Sequence, residues 1–210
     1  MKRKIQEFKN LCQKGVIKIL FKRYLNQLEP GGIAIDCGAN VGDITCKLAK
    51  TGVQVYAFEP NPYAFRRLSE RVRGLNNVVC YNHGVWDQNT TARLYFHQEA
   101  KKDDEFWSFG SSILQGKKNV DKSHYVDVEL IDLAEFIERL EKPVDFLKID
   151  IEGAEIEVLE KFISKGLHHQ VKMTLVEAHS SKIEGQKVKT LRVRRLIKEN
   201  RIRNIKMSWV

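Results

Sequence analysis

Apolar and polar positions along the chain follow two rhythms. Over residues 5–28, Ile5, Phe8, Cys12, Val16, Ile19, Leu20, Tyr24 and Leu28 recur at spacings of mostly three or four, with lysines largely elsewhere. That period predicts an amphipathic helix, and Pro30-Gly31-Gly32 stops it. Short apolar runs of strand length then alternate with helix-period segments. Strands are predicted over 33–37, 54–58, 77–81, 144–149 and 171–176, with a last one over 202–210. Helices are predicted over 43–50, 62–73, 133–140, 154–164 and 187–200. Between the third and fourth strands the rhythm breaks: 91–96 and 125–130 alternate as antiparallel strands around a polar stretch containing Gly110-Ser111-Ser112. Strands separated by helices require crossover connections. The expected architecture is therefore α/β, a doubly wound and mostly parallel sheet. It carries a β-rich insertion, at about 90–131, and an N-terminal amphipathic helix.

Composition narrows the class without changing that picture. At 210 residues, 42% hydrophobic and 30% charged, the chain has the make-up of one folded domain. The expected division is a basic helix over 1–30 and a single domain over 31–210. No apolar run approaches the roughly 18–20 residues of a membrane span, and no secretion signal follows the basic start. Cys12, Cys37, Cys46 and Cys80 match no zinc or C-x-x-C spacing, so reduced thiols in a cytoplasmic protein are expected.

The net charge of +9 is unevenly placed. Residues 1–30 carry eight Lys/Arg against two Glu, and residues 182–210 carry ten against two. The body between them is mildly acidic. Peripheral contact with an anionic surface is thus expected at the termini rather than on the body.

The candidate chemistry sits at strand ends. The first strand runs into Asp36-Cys37-Gly38-Ala39-Asn40-Val41-Gly42-Asp43. This is a glycine turn of the D-x-G-x-x-x-G kind, not the G-x-G-x-x-G that receives a pyrophosphate. Its acidic surroundings suit a ligand with cationic sulfonium and ammonium groups. Glu59, in Glu59-Pro60-Asn61 after the second strand, lies where a carboxylate holds a ribose diol. Together these point to S-adenosylmethionine, with Asp36, Gly38, Ala39, Asn40, Gly42, Glu59, Pro60 and Asn61 around it. Past the third strand, Asn82 or Asp87 is placed to bond the adenine and Val85 or Trp86 to pack on it. A plain turn into the hairpin is the alternative.

The run Leu147-Lys148-Ile149-Asp150-Ile151-Glu152-Gly153-Ala154-Glu155 puts three charges on one face of an apolar strand, which strand burial alone does not favour. With Asp36–Thr45, Glu59-Pro60-Asn61, Gly110-Ser111-Ser112 and Val176-Glu177-Ala178-His179, the chain resembles the FkbM family of class I, Rossmann-like methyltransferases over about residues 31–180. The resemblance implies O-methylation of a hydroxyl on a sugar, glycolipid or other small natural product. It implies that Asp36, Gly38, Asn40, Gly42 and Glu59 hold the cofactor and that Asp150 and Glu152 border the reaction centre. Candidate bases are Asp150, Glu177 and His179, with Lys148 placed to orient Asp150. No metal is expected, although Asp150 and Glu177 form a strand-tip pair that would suit Mg²⁺. His168 and His169 are expected at the wrong edge for chemistry, and 97–124, with Phe106, Trp107 and Phe109, as a lid or plain hairpin packing. The short C-terminus leaves room for one strand where class I methyltransferases have a hairpin.

Two other readings stay open. A nucleic-acid methyltransferase is disfavoured because the fourth strand ends in Asp150-Ile151-Glu152-Gly153 rather than an Asn/Asp-Pro-Pro-aromatic run. A cofactor-binding module without catalysis would instead dock a partner or membrane through the basic ends.

Overall fold

The computed structural model describes residues 21–98, 111–114, 120–179, 183 and 186–207. Its centre is a six-stranded sheet in the order β3-β2-β1-β7-β8-β9. The strands are β1 (Ile33–Cys37), β2 (Gln54–Phe58), β3 (Val78–Tyr81), β7 (Phe146–Ile149), β8 (Thr174–Val176) and β9 (Ile205–Lys206). Among the described residues all five pairings of this sheet are parallel. The helices are α1 (Asp43–Ala49), α2 (Pro62–Arg71), α3 (Leu133–Arg139), α4 (Glu155–Ser164) and α5 (Gln186–Glu199).

Every residue of β1 is buried, as a central parallel strand covered on both faces must be. Its pleat divides the core. Ile33, Ile35 and Cys37 join Leu147, Leu159 and Phe162 in one cluster. Ala34 joins Leu48 of α1, Phe146 and Phe21 in the other. Phe21 belongs to a helical stretch, 21–25, and its ring packs on Phe146 at 5.7 Å between centroids. That described end of the N-terminal helix therefore covers the sheet; residues 1–20 lie outside the described set. Capping sets the helix starts. Asn61 accepts from Tyr63 and Ala64 N–H with Pro62 in the first position of α2, and Asp132 accepts from Ala134 and Glu135 N–H to start α3.

The insertion forms its own three-stranded sheet, β4-β6-β5, of β4 (Gly84–Trp86), β5 (Thr90–His97) and β6 (Val120–Asp132). It differs from expectation in two ways. It begins at Gly84 rather than near 90, because the third strand hands straight on to β4, which pairs parallel to β6. And β6 is 13 residues long, because it extends through the polar run Asp121–His124, which lacks the apolar alternation that marks 125–130. β9 is a short parallel edge strand on β8, not a run over 202–210, and residues 208–210 lie outside the described set. Among the described residues no helix is long and apolar enough to cross a membrane.

Candidate active site

Register assembles the site. Cys37 pairs with Phe58 on one side and Ile149 on the other, and Ile149 pairs with Val176. The residues one step further, Gly38, Glu59, Asp150 and Glu177, therefore stand in a row along the carboxyl edge. The chain winds outward from β1 through β2 and β3, then returns on the far side as β7. That makes the gap between β1 and β7 the topological switch point, where open α/β sheets bind ligands. A cavity of about 410 Å³ opens there.

Backbone geometry brings its walls together. Gly38 has φ +78°, and a Cβ on it would lie 1.8 Å from the Asp150 carbonyl oxygen. Only glycine lets β1's turn touch the β7–α4 turn this closely. The floor has apolar members, including Phe58, Val85, Leu94 and Leu130, and its ionisable members are Asp43, Glu59, Asp150 and Glu152 against Lys47 and Lys148. The acidic surplus favours a cationic ligand.

Glu59 is held in place by backbone. Its Oε2 accepts from Asn40 N–H at 2.7 Å and its Oε1 from Asn61 N–H at 2.9 Å. Burial pushes its carboxyl up to about 7, against the two backbone bonds that pull it down.

Asp36 and Lys148 are register partners on adjacent parallel strands, so the pleat sends both to the α1 face. There Lys148 Nζ lies 3.2 Å from Asp36 Oδ1 and 3.5 Å from Asp150 Oδ2. It also donates to the carbonyls of Gly38 and Cys37 at 2.9 and 3.3 Å. Burial pulls the Lys148 pKa down, but Asp36 and then Asp150 outweigh it, and the net direction is upward. The lysine is a cation that ties β1's turn to β7's.

Beyond β7 the backbone turns sharply, with Glu152 at φ 56° and Gly153 at φ 123°. Glu155 stabilises the turn, its Oε1 accepting from Ile151 N–H at 3.2 Å and Gly153 N–H at 3.0 Å. The same oxygen meets His179 Nδ1 at 2.8 Å. His179 Nε2 faces Glu152, Glu177 and Asp150 at 3.3, 3.7 and 4.0 Å. Burial lowers the imidazole pKa, but the Glu155 bond and the surrounding carboxylates raise it by more. Glu177 is pushed up to about 7, first by burial and next by the Asp150 charge.

A family model described as "Methyltransferase FkbM domain" matches residues 36–203, the span that builds this cavity. The chain belongs to the FkbM methyltransferase domain family. This FkbM chain is 28% identical over 170 residues to "Hexuronic acid methyltransferase AglP" of Haloferax volcanii, covering 80% of the chain and 63% of that protein. It thus spans less than two thirds of that relative's length. It is 23% identical over 171 residues to "2-O-methyltransferase NoeI" of Sinorhizobium fredii, covering 76% and 70%. Among solved structures, an rRNA methylase from Streptococcus thermophilus aligns with TM-score 0.49 at 13% identity, covering 84% of this chain and 76% of that one. That likeness is too distant to bear on substrate.

The FkbM chain brings most predicted site residues to one place. Gly38, Ala39, Asn40, Glu59, Pro60, Val85, Lys148, Asp150 and Glu152 line the cavity. Asp36 does not: it is fully buried, with Oδ2 accepting from Thr45 Oγ1 at 2.7 Å and Oδ1 against Lys148. Its parallel register with Lys148 turns it inward, a pairing no local spacing reveals. Gly42, too, stands behind the lining: it is the N-cap of α1, and a Cβ there would meet Leu68 at 2.8 Å. Asn61 caps α2 and donates to Ser111 Oγ at 3.3 Å. Asn82 donates to the Glu59 and Pro60 carbonyls at 2.8 and 3.2 Å, holding the β2 tip from behind. Asp87 is not part of the lining, and its backbone carbonyl accepts from Lys161 Nζ; Trp86 packs with Leu94, Val128 and Leu130. Glu177 and His179 are not in the lining but stand directly behind Asp150 and Glu152.

Four contributors, Glu155, Thr45, Ser111 and Ser112, stood in the quoted motifs but were given no role in the site. Glu155 belonged to the singled-out run but read as helix start; its acidity in a helix-opening turn was the available signal. Thr45 gave none. Ser111 and Ser112 line the cavity, and Ser112 Oγ donates to the Glu152 carbonyl at 2.8 Å. Gly110, Phe106, Trp107 and Phe109 of the expected lid lie outside the described residues. His168 and His169 sit in a short 3-10 turn before β8, away from the cavity, where the His168 carbonyl accepts from Asn204.

Proposed function

We propose that this FkbM chain transfers a methyl group from S-adenosylmethionine to a hydroxyl of a sugar or sugar-bearing small molecule. The observation that carries the reading is the acidic cavity at the β1–β7 switch point, with the buried Glu59 carboxylate on its wall. Its acidic lining supports a cationic cofactor. Glu59 would accept from the ribose hydroxyls, the Gly38–Val41 backbone would receive the methionyl part, and Val85 would pack against the adenine. Asp36 supports this binding from behind, through Lys148 and Thr45, rather than by contact.

The sulfonium supplies an already activated methyl group. The protein then has to align the acceptor oxygen and take its proton. Asp150 and Glu152 reach the cavity and are the candidate proton acceptors, and Lys148 positions Asp150. Glu177 and His179 act through them. The relatives named for hexuronic acid methylation and 2-O-methylation support a sugar hydroxyl as acceptor. They do not identify the sugar.

Isothermal titration with S-adenosylmethionine tests the first half. A single site in the wild type that Glu59→Ala weakens at least tenfold is expected; binding indifferent to Glu59→Ala would remove the assignment. Transfer of labelled methyl to uronic-acid and neutral-sugar glycans, with RNA as comparison, tests the second. Methylation of RNA alone would overturn it.

A further inference from the structure

Helix α5 packs by one face and leaves an unusual face outward. Gln186, Thr190 and Val193 are buried, and Gln186 Nε2 donates to the Gly153 carbonyl at 3.2 Å. The helix thus starts against the turn that carries Glu152. With about 3.6 residues per turn, the opposite face presents Val188, Leu191, Arg192 and Arg195, with Lys187 and Lys198 along one side and Glu199 at its end. Val188 and Leu191 stand 74% and 67% exposed. The other exposed large apolar side chains among the described residues, Leu75, Val79 and Tyr125, reach only 36%, 39% and 41% and lie elsewhere. Scattered exposed aliphatics need no explanation. Two at i and i+3, bare on one helix, form a patch.

Charge surrounds that patch. Residues 186–207 carry nine Lys/Arg against one Glu. Two of these cations are drawn back toward α4: Lys189 pairs with Glu157 at 2.6 Å and Arg192 with Glu160 at 3.4 Å. Arg194 donates to the Met207 carbonyl at 2.9 Å. Lys187, Arg195 and Lys198 are exposed and, among the described residues, make no ion pair. Their charge is directed outward beside Val188 and Leu191.

Aliphatic side chains set among outward cations complement an anionic lipid surface. The cations meet headgroup charge, and the aliphatics enter the boundary between headgroups and acyl chains. RNA would satisfy the cations but not the aliphatics, and single strands are held by stacking bases on aromatic rings. Residues 186–207 contain no Phe, Trp or Tyr. At 14 residues α5 is about 21 Å long, a length that lies on a bilayer rather than crossing it. We propose that the outer face of α5, Val188, Leu191 and Arg195 with Lys187 and Lys198, docks the protein on an anionic lipid surface. Docking requires neither cofactor nor acceptor, so it stands apart from the methyl-transfer reading. It places on one helix the anionic contact expected of the basic ends.

Co-sedimentation of the full chain with phosphatidylcholine vesicles containing about 30% phosphatidylglycerol tests this, with pure phosphatidylcholine beside it. Binding to the anionic vesicles that weakens as salt rises is expected, with little binding to the neutral ones. Each cation near such a surface strengthens binding about fivefold. Lys187→Gln with Arg195→Gln should therefore weaken it at least about tenfold. Val188→Ser with Leu191→Ser should weaken it at least about fivefold. Arg73→Gln, at an exposed arginine past α2, should shift it far less. All four α5 positions are solvent-exposed, and circular dichroism checks that the variants keep the fold. Absence of binding to anionic vesicles overturns the proposal, and so does binding that either α5 double variant leaves unchanged. Equal binding to neutral vesicles also overturns it. Binding to single-stranded RNA that Lys187→Gln with Arg195→Gln abolishes, without vesicle binding, would replace the lipid surface by a nucleic-acid one.

Discussion

Replacing Lys148 by Met removes the cation that joins the two halves of the sheet while keeping most of the side-chain volume. The lysine is 5% exposed and its partner Asp36 is fully buried. Four contacts vanish together: Asp36, Asp150, and the carbonyls of Gly38 and Cys37. Asp36 is then a buried charge left, among the described residues, with the Thr45 hydroxyl at 2.7 Å. Breaking one side of a buried pair costs about 3–5 kcal/mol, because the remaining charge is uncompensated. That is a large share of the roughly 5–15 kcal/mol that holds a domain together. At about 2–4 °C per kcal/mol for a chain of this size, the midpoint should fall by roughly 6–20 °C. The double variant Asp36→Asn with Lys148→Met removes both charges and keeps an acceptor for Thr45. It should recover most of the loss, giving a coupling of at least about 2 kcal/mol. Urea unfolding of the two singles and the double measures this. Lys172→Met, which takes an exposed lysine away from Asp145, should shift the midpoint far less. If Lys148→Met unfolds within about 1 kcal/mol of wild type, or the double is no more stable than that single variant, the interior pair does not hold the turn as argued.

Gly38→Ala should destabilise by more than Gly74→Ala, although both residues have positive φ. At Gly74 nothing lies within 4 Å of an added Cβ, whereas at Gly38 the Asp150 carbonyl is 1.8 Å away. Gly74→Ala should cost about 1 kcal/mol of backbone strain, and Gly38→Ala clearly more; equal urea midpoints for the two would refute the close approach. Glu59, with its carboxyl raised to about 7, gives two opposite pH signs. Its contribution to the stability of the free protein is full below its ordinary range near 4.5 and is lost as pH rises through 7. Cofactor affinity, if it needs the ionised acceptor, should be about tenfold weaker at pH 6 than at pH 8. Calorimetric titration at the two pH values checks this, and a flat profile would separate Glu59 from the ribose. Cys37 is fully buried, and burial followed by the Asp36 charge pushes its thiol well above the usual range. Iodoacetamide at pH 8 should therefore modify Cys37 only after urea is added, as read by peptide mass; rapid labelling of the native chain would contradict the covered β1 strand.

The strand tips were legible in the sequence because they are local. A run such as Ile33–Cys37 is apolar at every position only when both faces are covered, and a glycine-bearing turn after it marks where a ligand approaches. Glu59 and Asp150 followed from the same rule applied to the next strands. The beginning of the insertion was less legible, since β4 is three residues long and draws its stability from β6, more than 40 residues away in sequence.

Spacing and period thus determined by themselves the alternation of strands and helices, the parallel sheet, and Gly38, Glu59, Asp150 and Glu177 as strand-tip residues. All three follow from side-chain periodicity within single segments and from the crossovers that join them. Only the tertiary structure decided which of the charges face a ligand and which face each other. Asp36 pairs with Lys148 across 112 positions because parallel register sets them side by side on the α1 face. His179 meets Glu155 because β8 delivers it to the turn that Glu155 holds. Charges that read alike along the chain divide into wall, floor and anchor because burial leaves a carboxylate no choice but to find a partner, and the fold alone determines which partner is within reach.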